Sequence, residues 1–355
     1  MHGVALAALA LALGSPAPTA ESPAQRLSDR QLAGQRVVFA YRGFTPPDAL
    51  VRRLRRGEAA GVIVFGRNVR SRSHLRRTLG GLERAARSSD VALPPLVMVD
   101  QEGGLVRRLP GGPNRSAAQV GATGSLAAAF RDGRRAGAAL RGAGANVALA
   151  PVVDVCRAAA ALEREQRCYG RRPRTVTRFA AAFARGLRAR HVAATLKHFP
   201  GFGSAKVNTD NAPVTIRTAL DRLRARDELP FLALRRHAAL VMLSTAVYPA
   251  LDASRPAVLS RAVVTGELRG RVGFRGVVVS DALDTPAVAR YGGPGRLALR
   301  ATRAGTDLVL YGGSYAAGER AAGTLTRRLR SKALRRPVFV RSVERVLRLR
   351  ASLRR

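Results

Sequence analysis

Residues that could carry chemistry stand at the ends of apolar runs. In LKHFPGFGSAKVNTDNAPV, residues 196–214, Lys197 and His198 end such a run, and the proline and glycines that follow favour a loop. In GVVVSDAL, residues 276–283, the run ends on Asp281. Ammonium, imidazole and carboxylate groups at strand ends bind polar ligands and act as acids, bases or nucleophiles. For any one of them taken alone, a purely structural salt bridge is the alternative.

A third string, VDQEGGLVRRL at residues 99–109, has the same organisation. Its apolar run ends on Asp100, and the paired glycines allow the backbone to approach a ligand closely. Three such strings predict one polar site built from the ends of several strands.

Eight short apolar runs supply the strands that would hold these residues. Continuous Val, Ile and Leu are typical of parallel strands buried on both faces, and the segments between them have apolar residues at helical spacing. The predicted strands are residues 36–41, 61–65, 95–100, 147–152, 193–199, 240–245, 276–281 and 307–312.

Eight strand-then-helix units predict an α/β protein with a closed (β/α)8 TIM-type barrel in a single domain. An open doubly wound sheet is disfavoured because it usually has fewer strands and a glycine fingerprint after the first one. In a barrel the carboxyl ends of the strands form the catalytic face, which is where the polar residues fall.

Together the strings resemble the family 3 glycoside hydrolases. The resemblance rests on DQEGG with a following Arg, KHFPGxG and the GVVVSD strand, with GVIVFGRN, APVVDV, RCYG and YPALD in family order. Within the family, the chain looks like the single-barrel β-N-acetylhexosaminidase branch. The resemblance therefore implies a catalytic barrel over residues 30–355.

The resemblance also implies roles for individual residues, with no cofactor and no metal ion. Asp281 would be the nucleophile of a retaining glycosidase. Charged groups around the ring hydroxyls would hold and distort the sugar. The implied sugar-binding residues are Asp100, Arg108, Arg167, Lys197 and His198.

One departure from the family pattern concerns the proton donor. The branch has an Asp-Ser-His triplet after KHFPGxG, in which the His is the acid/base and the Asp orients it, but the aligned residues here are Asn208, Thr209 and Asp210. In one hypothesis Asp210 is the acid/base, because carboxyl groups have this role in most retaining glycosidases and the Asp281 charge would raise its pKa. In the other hypothesis the chain is a pseudoenzyme that binds sugars or cell wall. We favour activity because the other site residues are retained.

The resemblance implies an exo-acting retaining β-glycosidase. Its expected substrates carry terminal β-linked N-acetylglucosamine, as in cell-wall fragments or chitooligosaccharides. Specificity of the β-glucosidase type is the alternative, since spacing and composition do not choose between the two sugars. We expect a monomer.

The N-terminus predicts export. The apolar run VALAALALAL at residues 4–13, followed by small residues and prolines, indicates a secretory signal and leader over residues 1–24. We expect a secreted or cell-envelope protein, or a cytoplasmic one if the leader is not functional. In an exported protein Cys156 and Cys168 could form a disulfide, although two free thiols are equally compatible with the sequence.

The charge is strongly positive, with 62 Lys and Arg against 23 Asp and Glu and a net charge of +39. The arginines are spread over the whole chain without a basic arm, which favours solvated helix faces over a specific nucleic-acid site. We expect salt-dependent association with anionic cell-wall polymers and no specific binding of nucleic acid.

Overall fold

The computed structural model describes residues 22–354, so nearly all of the predicted leader lies outside the described residues. Eight parallel strands in this part of the chain close into a barrel, in which each strand pairs with its neighbours in the chain and β1 pairs with β8. The barrel strands are β1 Val37–Phe39, β2 Gly61–Val64, β3 Leu96–Val99, β4 Val147–Ala148, β5 Ala193–Phe199, β6 Leu240–Leu243, β7 Val277–Ala282 and β8 Leu308–Leu310. They match the eight predicted runs, and the predicted (β/α)8 barrel is confirmed.

Helices surround the strands, and none of those in residues 22–354 is long and apolar enough to cross a membrane. The helices of eight or more residues are Asp48–Arg55, Arg72–Arg87, Leu126–Ala143, Pro173–Arg188, Ala262–Arg271 (a π-helix), Pro294–Ala304, Tyr315–Arg330 and Arg336–Ser352. The shorter helical segments are Asp29–Gly34, Gly66–Asn68, Ala117–Ala122, Ala161–Arg164, Leu220–Arg222, Leu223–Asp227, Leu229–Leu234, Ala257–Leu259 and Pro286–Ala289. Two hairpins pair Gln101–Gly103 with Val106–Arg107 and Val247–Tyr248 with Asp252–Pro256.

The strands are mostly apolar up to their carboxyl ends because both of their faces are buried. In β7, Val277 and Val279 belong to the cluster inside the barrel, whereas Val278 belongs to the cluster between strands and helices. Side chains alternate between the two faces of a strand, so a barrel wall needs apolar residues at both phases. This requirement explains why the runs are continuous.

Helices Leu126–Ala143 and Pro173–Arg188 lie against each other at close backbone distance. A Cβ added at Gly133 would lie 2.1 Å from the Phe183 carbonyl oxygen, and one added at Gly186 would lie 2.3 Å from the Phe130 carbonyl oxygen. Glycine at both positions is therefore required by the packing. Gly144, with φ +99°, then ends the first of these helices in the left-handed conformation.

The C-terminal helix Arg336–Ser352 closes the amino-terminal end of the barrel. Its Val346 and Leu349 pack into the interior cluster. The buried Arg350 donates hydrogen bonds to the Leu93 and Pro94 carbonyl oxygens, at 2.6 and 2.9 Å, just before β3. The opposite end, where the strands finish, is left for a site.

Candidate active site

A cavity of about 190 Å³ lies at the carboxyl ends of the strands. Its floor is apolar and comes from the strands and the residues directly after them, such as Leu149, Met242 and Leu310. All seven residues singled out from the sequence line it, which places them in one site: Asp100, Arg108, Arg167, Lys197, His198, Asp210 and Asp281.

A buried cluster of charges forms one wall. The Lys197 ammonium group lies 2.7 Å from Asp100 Oδ1 and 2.6 Å from Glu102 Oε1. Arg167 binds Glu102 through both Nε and Nη2, at 2.9 and 2.8 Å. Only 2% of the Lys197 side chain and 5% of the Glu102 side chain are exposed, so little water screens these contacts. The cluster can hold several sugar hydroxyls by charge-assisted hydrogen bonds.

The cluster keeps Glu102 and Lys197 ionised. Burial alone would raise the pKa of Glu102, but Arg167 and Lys197 outweigh it and lower this pKa to about 2. Burial would likewise lower the pKa of Lys197, but Asp100 and Glu102 raise it above its ordinary value. The site therefore presents fixed charges at neutral pH.

Asp154 holds His198 in one orientation. Its Oδ2 accepts hydrogen bonds from the backbone N–H of His198 at 3.0 Å and from Nδ1 at 2.7 Å, and its Oδ1 accepts one from the Phe202 N–H at 2.6 Å. Because Nδ1 donates to Asp154, Nε2 is the nitrogen turned to the cavity, where it lies 4.0 Å from Asp281 Oδ2. Lys197 and His198 are joined by a cis peptide bond.

Asp281 is delivered by β7. Its Oδ1 accepts a hydrogen bond from the Ala282 N–H at 2.8 Å, and Oδ2 is the atom nearest His198. About a quarter of the side chain, 24%, is exposed. The carboxylate is therefore held at the rim of the strand with an oxygen accessible from the cavity.

Asp210 lies on the long loop after β5. Its backbone N–H donates to Asn208 Oδ1 at 3.0 Å, and neighbouring Thr209 is buried. Asp210 is exposed at the mouth of the cavity, but its surroundings still remove part of the hydration of the carboxyl group. This partial burial, followed by the Asp281 charge, raises the pKa of Asp210, while His198 and Arg167 oppose the change.

Arg108 follows the hairpin after β3. Its backbone N–H donates to Gln101 Oε1 at 3.1 Å, and its side chain lines the cavity. Within residues 22–354 the buried Nε of Arg108 has no hydrogen-bond partner. The guanidinium group is therefore available to a ligand.

Three acidic residues of the site were given no role from the sequence, although Asp154 stands among the polar residues that follow predicted strands. Glu102 and Asp154 stand in the strings DQEGG and APVVDV, which gave the only signal that they matter. Glu165 lines the cavity two residues before Arg167, and its Oε2 accepts a hydrogen bond from Arg167 Nη1 at 3.1 Å. No pattern in the sequence distinguishes Glu165 from the other glutamates.

Cys156 and Cys168 form a disulfide, the alternative that the sequence left open beside free thiols. The bond joins the segment after β4 to the residue next to Arg167. It therefore restrains the chain that carries one of the cations of the cluster.

The chain belongs to glycoside hydrolase family 3, and it is a glycoside hydrolase. Residues 31–349 match the family described as "Glycosyl hydrolase family 3 N terminal domain". Among curated relatives, an "Uncharacterized secreted glycosyl hydrolase" of Arthroderma benhamiae is 38% identical over 329 residues, covering 90% of this chain and 93% of the relative. A "Beta-hexosaminidase" of Stenotrophomonas maltophilia is 36% identical, covering 72% of this chain and 77% of the relative.

Solved structures agree with this membership. A family 3 β-N-acetylglucosaminidase from Paenibacillus sp. superposes with a TM-score of 0.86 at 32% identity over 92% of this chain, which spans 63% of that protein's length. A β-N-acetylhexosaminidase from Beutenbergia cavernae superposes with a TM-score of 0.81 at 30% identity, covering 92% of this chain and 98% of that protein.

Proposed function

We propose that the protein is a retaining exo-β-glycosidase that removes terminal β-linked N-acetylhexosamine from cell-wall fragments or chitooligosaccharides. The observation that carries the proposal is the cavity itself, in which Asp281 and Asp210 face a cluster of charged hydrogen-bonding groups. The choice of sugar is supported by the relatives, which are named as hexosaminidases and N-acetylglucosaminidases. The small cavity with an apolar floor suits the last unit of a chain.

In the first step Asp281 attacks the anomeric carbon. A bond forms from its carboxylate oxygen to that carbon, and the bond to the leaving oxygen breaks while Asp210 donates its proton to that oxygen. The raised pKa of Asp210 suits this task because it keeps the carboxyl group protonated to a higher pH than an ordinary aspartate. The products are a glycosyl-enzyme and the released alcohol.

In the second step water hydrolyses the glycosyl-enzyme. Asp210, now ionised, takes a proton from the water as its oxygen attacks the anomeric carbon, and Asp281 leaves as a carboxylate. Both residues return to their starting protonation states. Retention of the β configuration follows from the two displacements.

The remaining predicted residues bind the sugar. Asp100, Lys197 and Arg167 present charged groups to the ring hydroxyls, and Arg108 offers a guanidinium nitrogen that is not otherwise paired. His198 presents Nε2 beside Asp281, in the orientation that Asp154 fixes. Such contacts can strengthen as the ring flattens in the transition state.

We further propose that a monomer acts outside the cytoplasm. The disulfide is typical of oxidising compartments, and one relative is named as secreted. The charge of +39 would draw the enzyme to anionic wall polymers with strong salt dependence. This association would concentrate the enzyme near its substrate.

Hydrolysis of dinitrophenyl β-N-acetylglucosaminide and of N,N′-diacetylchitobiose (called chitobiose below) by the wild type, Asp281→Asn and Asp210→Asn tests the proposal. Asp281→Asn should lose turnover of both substrates by at least about a thousandfold, since the nucleophile is absent. Asp210→Asn should lose glycosylation only on chitobiose, because dinitrophenolate leaves without a proton.

The alternatives make different predictions in the same assay. Activity that survives Asp281→Asn contradicts the nucleophile assignment. A wild type that binds chitobiose but turns over no aryl glycoside is a pseudoenzyme. Faster turnover of the aryl glucoside than of the aryl N-acetylglucosaminide indicates β-glucosidase specificity.

A further inference from the structure

We infer that Glu165 is a positioning residue that fixes the loop of Asp210, through Asn208, to the buried charge cluster. The inference rests on the proposed role of Asp210 as the proton donor. It concerns how a chain that lacks the family's His can still hold a proton donor in place.

A continuous path of hydrogen bonds joins the two regions. Arg167 Nη1 donates to Glu165 Oε2 at 3.1 Å, and Asn208 Nδ2 donates to Glu165 Oε1 at 3.4 Å. The Asp210 N–H then donates to Asn208 Oδ1 at 3.0 Å. Asn208 uses both ends of its amide, one toward Glu165 and one toward Asp210.

The far end of this path is rigid. Arg167 is bound by the nearly fully buried Glu102 through two nitrogens, and its neighbour Cys168 is tied to Cys156. Glu165 therefore links the fixed guanidinium group of Arg167 to the loop residue Asn208. Its side chain is 34% exposed, so the link lies at the edge of the cavity and not in the core.

The link matters because Asp210 has no anchor of its own. Within the described residues no donor contacts the Asp210 carboxyl group, so its placement depends on its backbone. Both Glu165 oxygens, in contrast, accept hydrogen bonds, which suits an anchor and not a proton donor. A displacement of about 1 Å of a catalytic group can cost up to about a hundredfold in rate.

A double-mutant cycle on the full chain tests the inference. Glu165→Ala and Asn208→Ala should each lower kcat/KM for chitobiose roughly 10- to 100-fold, with a change of less than roughly threefold for the dinitrophenyl glycoside, whose glycosylation needs no proton. The double variant should be no worse than the poorer single variant, because both substitutions break the same path. Glu165→Gln keeps the shape of the side chain but has one acceptor oxygen for two donors, so it should show the same chitobiose-selective loss to a smaller degree.

Glu163→Gln is the matched control. Glu163 lies on the short helix Ala161–Arg164 that ends just before Glu165. It pairs with Arg171 on the surface and does not line the cavity, so its variant should match the wild type. Melting temperatures of all variants check that they fold. If Glu165→Ala does not fold, Glu165→Gln, which keeps the size of the side chain, still tests the link.

Four results would overturn the inference. Equal losses on both substrates would mean that Glu165 only supports sugar binding by Arg167. Losses that multiply in the double variant would mean that the two residues act independently. If the wild type hydrolyses chitobiose and Asp210→Asn hydrolyses it equally well, Asp210 is not the proton donor. If the wild type turns over no substrate, the proposed function is refuted together with the inference.

Discussion

Replacing Glu102 with Gln should destabilise the protein by about 3 kcal/mol at neutral pH. Removal of one partner from a buried ion pair costs roughly 3–5 kcal/mol, because the remaining charges lose their compensation. Glu102 compensates two cations, Lys197 and Arg167, through contacts of 2.6 to 2.9 Å. The fall of its pKa from 4.5 to about 2, which the same two cations cause, corresponds to about 3 kcal/mol of stabilisation.

The same effect should depend on pH. Because the folded-state pKa of Glu102 is lowered, its contribution is fully present above the unfolded pKa of 4.5 and disappears as pH falls toward about 2. The difference in the free energy of unfolding between wild type and Glu102→Gln should therefore be constant from pH 7 to pH 5 and then shrink. Urea unfolding at a series of pH values, with the disulfide intact, measures this difference.

Glu83→Gln is the control for a surface pair of the same chemistry. Glu83 accepts two hydrogen bonds from Arg87 at 3.0 and 3.1 Å, but both side chains are partly exposed, that of Arg87 by 38% and that of Glu83 by 24%. Its loss should cost less than about 1 kcal/mol. A Glu102→Gln variant no less stable than Glu83→Gln, or a difference from wild type that does not shrink in acid, would refute the argument that the buried cluster is stabilised by charge.

Three other changes have defined outcomes. With chitobiose, kcat/KM should fall as pH rises through the raised pKa of Asp210 and protons are lost from the donor, and Asp210→Asn should abolish this basic limb in the pH–rate profile. Cys168→Ser should lower the free energy of unfolding by about 2–4 kcal/mol, and reductant should destabilise the wild type but not the variant. Gly133→Ala should cost at least about 1–3 kcal/mol by urea unfolding, whereas Gly266→Ala, where an added Cβ meets nothing within 4 Å, should be neutral or slightly stabilising.

The barrel could be predicted from the sequence because its constraint is local and repeated. Strand β5 was predicted at residues 193–199 and is found at Ala193–Phe199. It is buried at every residue, so its sequence is an almost unbroken run without exposed polar positions. Closure of the sheet then brings the carboxyl ends of all strands to one rim. Residues that end strands, such as Lys197 and Asp281, were therefore predicted to share a site, and they line the same cavity.

The contacts made by loops could not be predicted in this way. Glu165 and Asn208 are 43 residues apart, and their hydrogen bond depends on the course of two irregular segments that no periodicity describes. Glu102 contacts Lys197 because of the hairpin that follows β3. The sequence shows only a glutamate beside glycines and does not predict this contact. For the same reason the spacing of the two cysteines left their pairing open.

The scarcity of lysine offers a spectroscopic use. The chain has three lysines and no tryptophan, and Lys197 is locked inside the charge cluster, whereas Lys206 is exposed on the loop that leads to Asn208. The backbone oxygen of Lys206 accepts a hydrogen bond from Arg164 at 2.8 Å, so its main chain is restrained while its amine is free to react. A dye attached there, in a variant without Lys332, would report on ligand binding in the neighbouring cavity against a background free of indole emission.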